Sequence, residues 1–279
     1  MDDNDVTNIK ERDIRFATTH GADLLGRLYE PQDSIGHGIV MVHGGAWTAN
    51  DRHTPSVMSR LLANRGLVVF SLDFRCGPAF QHPSASADIA AGIRYFRSRA
   101  DSLGINADKI GLIGSSSGGH LVLFTALQPN IPMHQTTPIL DSEQGSADAS
   151  VAYVVALWPV SNPLARFEYA LEIGRQELVR AHQGYFGSRE TMHQASVQRV
   201  IRSREFTHLP PTFIVQPGED ANVPQFMTND LLAAFRGVGH EVDYLHMPGL
   251  PHAFAYEASA DTDRCEAGVW DFISPLLKN

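Results

Sequence analysis

The sequence predicts an α/β fold: a mostly parallel central sheet of about eight strands, flanked by helices, with a small helical cap. Three observations carry that reading. Residues 39–42, 67–72 and 151–158 are continuous apolar runs, the pattern of strands buried on both faces of a parallel sheet. Helical stretches alternate with these runs, as βαβ units require. The alternation then breaks between Pro159 and Leu209, which leaves an insertion that belongs over the sheet.

Taken in order, the first 13 residues are polar and read as an arm or frayed helix. Residues 13–19 and 24–29 read as two strands around His20-Gly21-Ala22-Asp23, an antiparallel hairpin at a sheet edge. A loop over 31–38 leads to the buried run 39–42, which ends in His43-Gly44-Gly45-Ala46-Trp47. Paired glycines there let backbone N–H groups turn towards a ligand. A helix follows over 54–64, capped by Thr54 with Pro55 at its first position. Asp73-Phe74-Arg75 closes the next strand, and Asp73 and Arg75 share a face with structural work to do, pairing or bracing loops. Gly77, Pro78 and Pro83 mark a loop. Residues 84–102 form an amphipathic helix with Ile89, Ile93, Phe96 and Ala100 on one face. The strand over 108–113 feeds Gly114-Ser115-Ser116-Ser117-Gly118, and a helix follows to 127.

Residues 128–150 read as a surface loop. The run 151–158 is the next buried strand. Residues 161–187 are mostly helical and rich in aromatics, namely Phe167, Tyr169, Tyr185 and Phe186. The sheet resumes over 210–216, followed by a helix over 224–237 and a last strand over 241–247. A helix over 263–277 closes the chain. The plan is a single domain, 1–279, with 160–205 as the cap.

A chain of 279 residues with 43% hydrophobic and 19% charged residues builds a sizeable core. Its formal net charge of -9 repels phosphate backbones and anionic membranes, so nucleic-acid and membrane partners are not expected. No stretch reaches the length of a membrane span, and the acidic start Met1-Asp2-Asp3-Asn4-Asp5 is no signal peptide. The expected location is cytoplasmic. Cys76 and Cys265 lack C-x-x-C partners, and free thiols fit better than a disulfide.

The chemistry centres on G-x-S-x-G. Strand, tight turn and helix form the context in which that spacing is a nucleophile elbow. Of three adjacent serines, only Ser116 has glycine two residues away on both sides, at Gly114 and Gly118. Serine is a weak nucleophile until an imidazole takes its proton. His252 follows the last strand and is the candidate base; Asp220 follows the strand before it and would orient the imidazole, with Glu219 as its rival. In a parallel sheet all such loops share the carboxyl edge. No H-x-x-x-H pair sits beside an acid, so no metal and no cofactor is expected.

On these motifs, over roughly residues 35–279, the chain resembles the α/β-hydrolase superfamily, in the branch of hormone-sensitive-lipase-like esterases and kynurenine-formamidase-like enzymes. His43-Gly44-Gly45-Ala46-Trp47 resembles the H-G-G-x-W oxyanion loop. That likeness implies the N–H groups of Gly45 and Ala46 as oxyanion donors, with Ser117 as a third. Asp73-Phe74-Arg75 resembles the D-Y-R of the esterase branch, although Cys76-Gly77-Pro78-Ala79 departs from its usual continuation. The implied activity is serine-dependent hydrolysis of carboxylic esters through an acyl-enzyme. An arylformamidase-type amide hydrolase is the alternative, and a non-catalytic binding protein on the same fold is a third reading. The expected substrate contacts are Trp47, Phe167, Tyr169, Tyr185, Phe186 and Phe254. The expected partner is a small-molecule ester or amide, with a homodimer as the assembly left open.

Overall fold

The computed structural model describes residues 8–140 and 148–278. Eight strands form one sheet in the order β1-β2-β4-β3-β5-β6-β7-β8. β1 (Ile9–Thr19) and β2 (Ala22–Pro31) are an antiparallel hairpin, and β2 also pairs antiparallel with β4 (Val68–Leu72). The other pairings, through β3 (Gly38–Val42), β5 (Gly111–Ser115), β6 (Tyr153–Leu157), β7 (Thr212–Pro217) and β8 (Val242–Met247), are parallel.

Period-2 alternation divides the core between the two faces. Val40, Val42, Leu112 and Ala156 join one apolar cluster; Ile39, Met41, Ile113 and Val155 join the other. The helices α1 (Ser56–Asn64) and α10 (Ala260–Leu277) pack together and bury Leu62 and Val269 in the second cluster. The helices α2 (Ser84–Ser98), α4 (Ser117–Leu127) and α9 (Gln225–Gly237) fill the first with Ile89, Leu121 and Leu231.

Register positions the site. Val42 lies opposite Gly114, Ser115 opposite Leu157, and Leu157 opposite Val215. The carboxyl ends of β3, β5, β6 and β7 are therefore level, and the loops that leave them converge. Between β6 and β7 the chain inserts α5 (Pro163–Glu172), α6 (Gln176–Phe186), α7 (Arg189–Gln194) and α8 (Val197–Arg202). Asn162, Ser188 and Ser196 cap α5, α7 and α8 by accepting backbone N–H groups.

Several local expectations need correction. The polar arm is a strand from Ile9 onward; residues 1–7 lie outside the described residues. Its signal is polar because it is an edge strand held by charge, with Arg12 on Glu30 at 2.7 Å and Arg27 on Asp13 at 2.9 Å. Thr54 does not cap α1: Pro55 is the N-cap, and the Thr54 hydroxyl instead accepts the Asp51 N–H at 3.4 Å. The helix expected over 84–102 ends at Ser98, and a separate turn, α3 (Ala100–Leu103), follows Arg99. The strand feeding the elbow starts only at Gly111, because residues 107–109 form a 3-10 turn capped by Asn106. The loop over 128–150, of which 141–147 lie outside the described residues, is not all surface. His134 and Thr137 are fully buried, and Arg94 donates to their carbonyls at 3.1 and 2.7 Å. Asp73 and Arg75 lie past the end of β4 and brace loops without pairing with each other. Asp73 accepts from Arg52 at 2.7 Å, and Arg75 donates to Asp88 at 2.8 Å. Cys76 and Cys265 are free. Among the described residues, no helix is long and apolar enough to cross a membrane.

Candidate active site

Ser116 follows β5 and stands at the N-cap position of α4 with φ 55° and ψ −119°, a conformation disfavoured for an L-residue. The surroundings over-determine it. Its N–H donates to the Leu157 carbonyl at 2.9 Å, and its carbonyl accepts from His120 and Val160 at 3.1 and 3.0 Å. The flanking glycines are steric requirements. A Cβ on Gly114 would lie 2.6 Å from the Gly118 oxygen, and one on Gly118 would run into the His43 and Val42 carbonyl oxygens.

The three serines separate cleanly. Ser115 Oγ is taken by the Tyr256 hydroxyl at 2.8 Å, and Ser117 is fully buried. Ser116 Oγ lies 2.9 Å from His252 Nε2. His252 Nδ1 lies 2.7 Å from Asp220 Oδ2. A carboxylate only accepts, so Nδ1 carries the proton and Nε2 is left to accept the serine hydroxyl. Asp220 Oδ1 is held by the N–H groups of Asn222 at 2.8 Å and Val223 at 2.7 Å. The Asp220 side chain is fully buried, whereas Glu219 is exposed.

Beside Ser116 runs the loop after β3. The Gly44 carbonyl accepts from His43 Nδ1 at 2.7 Å and from Asn50 Nδ2 at 3.3 Å. The Gly45 carbonyl accepts the N–H groups of Thr48 and Ala49 at 3.0 and 3.1 Å. In a planar trans peptide the following N–H points opposite to the carbonyl. The N–H groups of Gly45 and Ala46 therefore point away from these partners. Gly45 reaches this shape with φ 120°, and Ala46 with φ 50°.

Ser116, His252, Gly45 and Ala46 line one cavity of about 400 Å³. Its opposite wall comes from the inserted helices, with Arg166 of α5 and Glu177, Leu178 and Ala181 of α6.

The BD-FAE family model matches residues 28–235, which span β2 to α9 and include Ser116 and Asp220. The chain belongs to the BD-FAE family. Among curated proteins, this BD-FAE member is 31% identical over 228 residues to esterase LipC of Mycobacterium tuberculosis, covering 77% of this chain and 52% of LipC. It is 40% identical over 103 residues to an arylesterase of Saccharolobus solfataricus, covering 36% of this chain and 34% of that protein. The chain thus spans about half the length, or less, of these relatives. Among solved structures it is similar to a hyperthermophilic esterase from Pyrobaculum calidifontis, with TM-score 0.77 and 21% identity, over 96% of this chain and 84% of that one. It is also similar to carboxyl esterase 2 of Tuber melanosporum, with TM-score 0.76 and 19% identity, over 98% and 89%. The fold is the α/β-hydrolase fold.

The expected substrate contacts of this BD-FAE chain lie elsewhere. Trp47, Phe167, Tyr169, Tyr185, Phe186 and Phe254 are all absent from the cavity wall. Trp47 and Tyr185 are fully buried and stacked at 6.0 Å, with Phe186 edge-on to Trp47 at 4.9 Å. Phe167 is buried against His182, Tyr169 meets Phe226, and Phe254 leans on Trp158. Seating four short helices on a sheet edge consumes large apolar area, so the rings pack the junction.

The cavity residues that sequence reasoning missed include Arg166, Glu177, Leu178, Asn222, Asn50 and Tyr256. The one local clue is Asn222, two residues past Asp220 in a turn. Burial, partly offset by Asp220, pushes the Arg166 guanidinium down to about 10. Among the described residues no group of three or more His, Cys, Asp and Glu side chains could hold a metal.

Proposed function

We propose that this BD-FAE member hydrolyses carboxylic esters of small molecules through an acyl-enzyme. The observation that carries the reading is the continuous chain from Ser116 Oγ to His252 at 2.9 Å and from His252 to Asp220 at 2.7 Å. The esterase relatives and neighbours support it.

Ser116 Oγ attacks the ester carbonyl carbon while His252 Nε2 takes the hydroxyl proton. The carbonyl electrons move onto oxygen, and the N–H groups of Gly45, Ala46 and Ser117 receive that charge. The held carbonyls of Gly44, Gly45 and Ser116 support this role, because each N–H faces away from them. Asp220 stabilises the imidazolium. His252 then gives the proton to the leaving alkoxide, and the acyl group stays on Ser116. A water deprotonated by His252 attacks the acyl carbon, and its collapse returns the proton to Ser116 and frees the acid.

The aryl-formamide reading depends on Trp47 and on aromatic rings facing the substrate. Those rings are packed away from the cavity, so nothing in the site favours it. The test is labelling with a fluorophosphonate probe, peptide mapping, and turnover of short-chain 4-nitrophenyl esters. Label should map to Ser116, and Ser116→Ala should lower kcat roughly 10⁴-fold or more. Near-normal turnover in Ser116→Ala, with loss in Ser117→Ala, would sink the assignment.

A further inference from the structure

Arg166 stands out among the groups the ester mechanism leaves unused. It lies in α5, is 1% exposed, and lines the cavity that holds Ser116 and His252. Among the described residues one side-chain hydrogen bond holds it, from Nη2 to Asn222 Oδ1 at 2.5 Å. Nε and Nη1 are buried with no partner among the described residues. Buried guanidinium groups are normally paired with a carboxylate, because taking the charge out of water is otherwise costly. Arg75 in the same molecule shows the usual solution, with Asp88 bound at 2.8 Å.

No carboxylate serves Arg166 in that way. Among the described residues it forms no ion pair. Two acids lie near enough to act on its charge, Asp220 and Glu177. Asp220 already commits one oxygen to His252 and the other to two backbone N–H groups. Glu177 is half exposed and committed to Arg175. The depressed guanidinium pKa agrees with a charge its neighbours do not fully compensate. Arg166 is one of the residues that line the reaction cavity.

We propose that Arg166 is an anion-recognition residue of this site, so that preferred esters carry a carboxylate on the acyl or the alcohol part. The inference rests on the ester-hydrolase reading. A planar guanidinium matches the two oxygens of a carboxylate in shape and charge through N–H groups on two of its nitrogens, and here Nη1 and Nε have no other partner among the described residues. Asn222, which also lines the cavity, holds Nη2 and so aims the plane. Because the chain carries a net charge of -9, the long-range field does not recruit such a substrate, and selection falls to Arg166, the one Lys or Arg among the described residues that line the cavity.

The experiment compares kcat/KM for two matched pairs. Monoethyl glutarate is set against ethyl 4-carbamoylbutanoate, and 4-acetoxybutanoate against its primary amide. Each pair exchanges a carboxylate for a neutral group of the same shape. The wild type should prefer the acid in at least one pair, and Arg166→Met should lower that acid-to-amide ratio by roughly 10- to 100-fold. Arg166→Lys should fall between, since it keeps charge without the fork. A wild-type ratio near one in both pairs overturns the proposal. So does an Arg166→Met variant that slows acid and amide equally, which would make Arg166 only a brace for the Asp220 loop. Should Arg166→Met fail to fold, the wild type decides: glutarate must inhibit hydrolysis of the neutral ester more strongly than glutaramide. Equal inhibition overturns the idea. Absence of turnover on all four esters, acid and neutral alike, would instead count against the hydrolase reading.

Discussion

The Trp47 indole N–H donates to His120 Nδ1 across 3.2 Å, inside a fully buried contact. His120 Nε2 in turn donates to the Ala195 carbonyl at 2.8 Å. Burial holds the imidazole pKa down to about 4, so the ring is neutral and Nδ1 is free to accept. One side chain thus ties the loop after β3, the helix that follows Ser116, and the inserted helices. His120→Leu should strand two buried polar groups and lower stability by about 2–6 kcal/mol. Because it frees the loop carrying Gly45 and Ala46, kcat should fall more than KM rises. His120→Gln, which can donate and accept, should recover part of both. Thermal melts with steady-state kinetics check this; an active, undiminished Leu variant would remove the coupling.

Acid should destabilise the fold over a defined window. Burial holds His82 and His182 down to about 3, and His120 and His134 to about 4, from an ordinary value of 6.5. Below 6.5 the unfolded chain binds protons at these rings that the folded chain refuses. Their contribution is therefore intact above pH 6.5 and is lost as pH falls from 6.5 towards 4. Each ring adds up to about 1.4 kcal/mol per pH unit to that slope. Urea midpoints measured between pH 8 and 4 should drop in this range, and His182→Phe should flatten the drop. A midpoint independent of pH from 6.5 to 4 would contradict the burial of these rings.

Asp88 is fully buried and serves Arg75 twice over, through the guanidinium at 2.8 Å and the backbone N–H at 2.9 Å; it also accepts the Thr137 hydroxyl at 2.7 Å. Asp88→Asn leaves the guanidinium buried without its counter-charge. The expected loss is about 3–5 kcal/mol. For a chain of this size calorimetry should show Tm lower by roughly 10 °C. A shift under 2 °C would mean that water or another group takes over the charge.

The inserted helices offer two kinds of side chain with opposite expected effects. Leu178 lines the cavity, so Leu178→Ala should reorder acyl or alcohol preferences by roughly 10- to 200-fold in relative kcat/KM. Tyr185 is fully buried beneath Trp47, so Tyr185→Ala should lower stability by about 3–5 kcal/mol and leave the order of substrates alone. A ranking altered by Tyr185→Ala but not by Leu178→Ala would reverse these roles.

Local backbone requirements are written in adjacent residues, which is why much of the site is legible in the sequence itself. Glycine at 114 answers a steric need within the turn, glycine at 118 answers the close approach of the strand end at Val42 and His43, and the two together single out Ser116 from Ser115 and Ser117. Asp220 and His252 are legible for a related reason: buried strands are continuous apolar runs, and the residues just past them must meet at one sheet edge. The polar edge strand from Ile9 and the 3-10 turn over 107–109 are not legible, since charge pairing across strands and a capping Asn106 leave no apolar period to read.

The amino-acid order alone determines the alternating strands and helices, the turn at Ser116 and the placing of Asp220 and His252 just past later strands, because each depends on neighbours a few residues away. Which side chains face the cavity is decided only when distant segments meet. Aromatic rings at Trp47, Phe167, Tyr185 and Phe186 have the composition of a binding wall, yet the same apolar area is what seats the inserted helices on the sheet, and packing claims them. Arg166, an ordinary helix residue in the sequence, becomes a buried cation beside Ser116 and His252 because α5 docks against the turn at Asn222. Burial and the choice of counter-charge arise from that docking, and no window of sequence contains both partners.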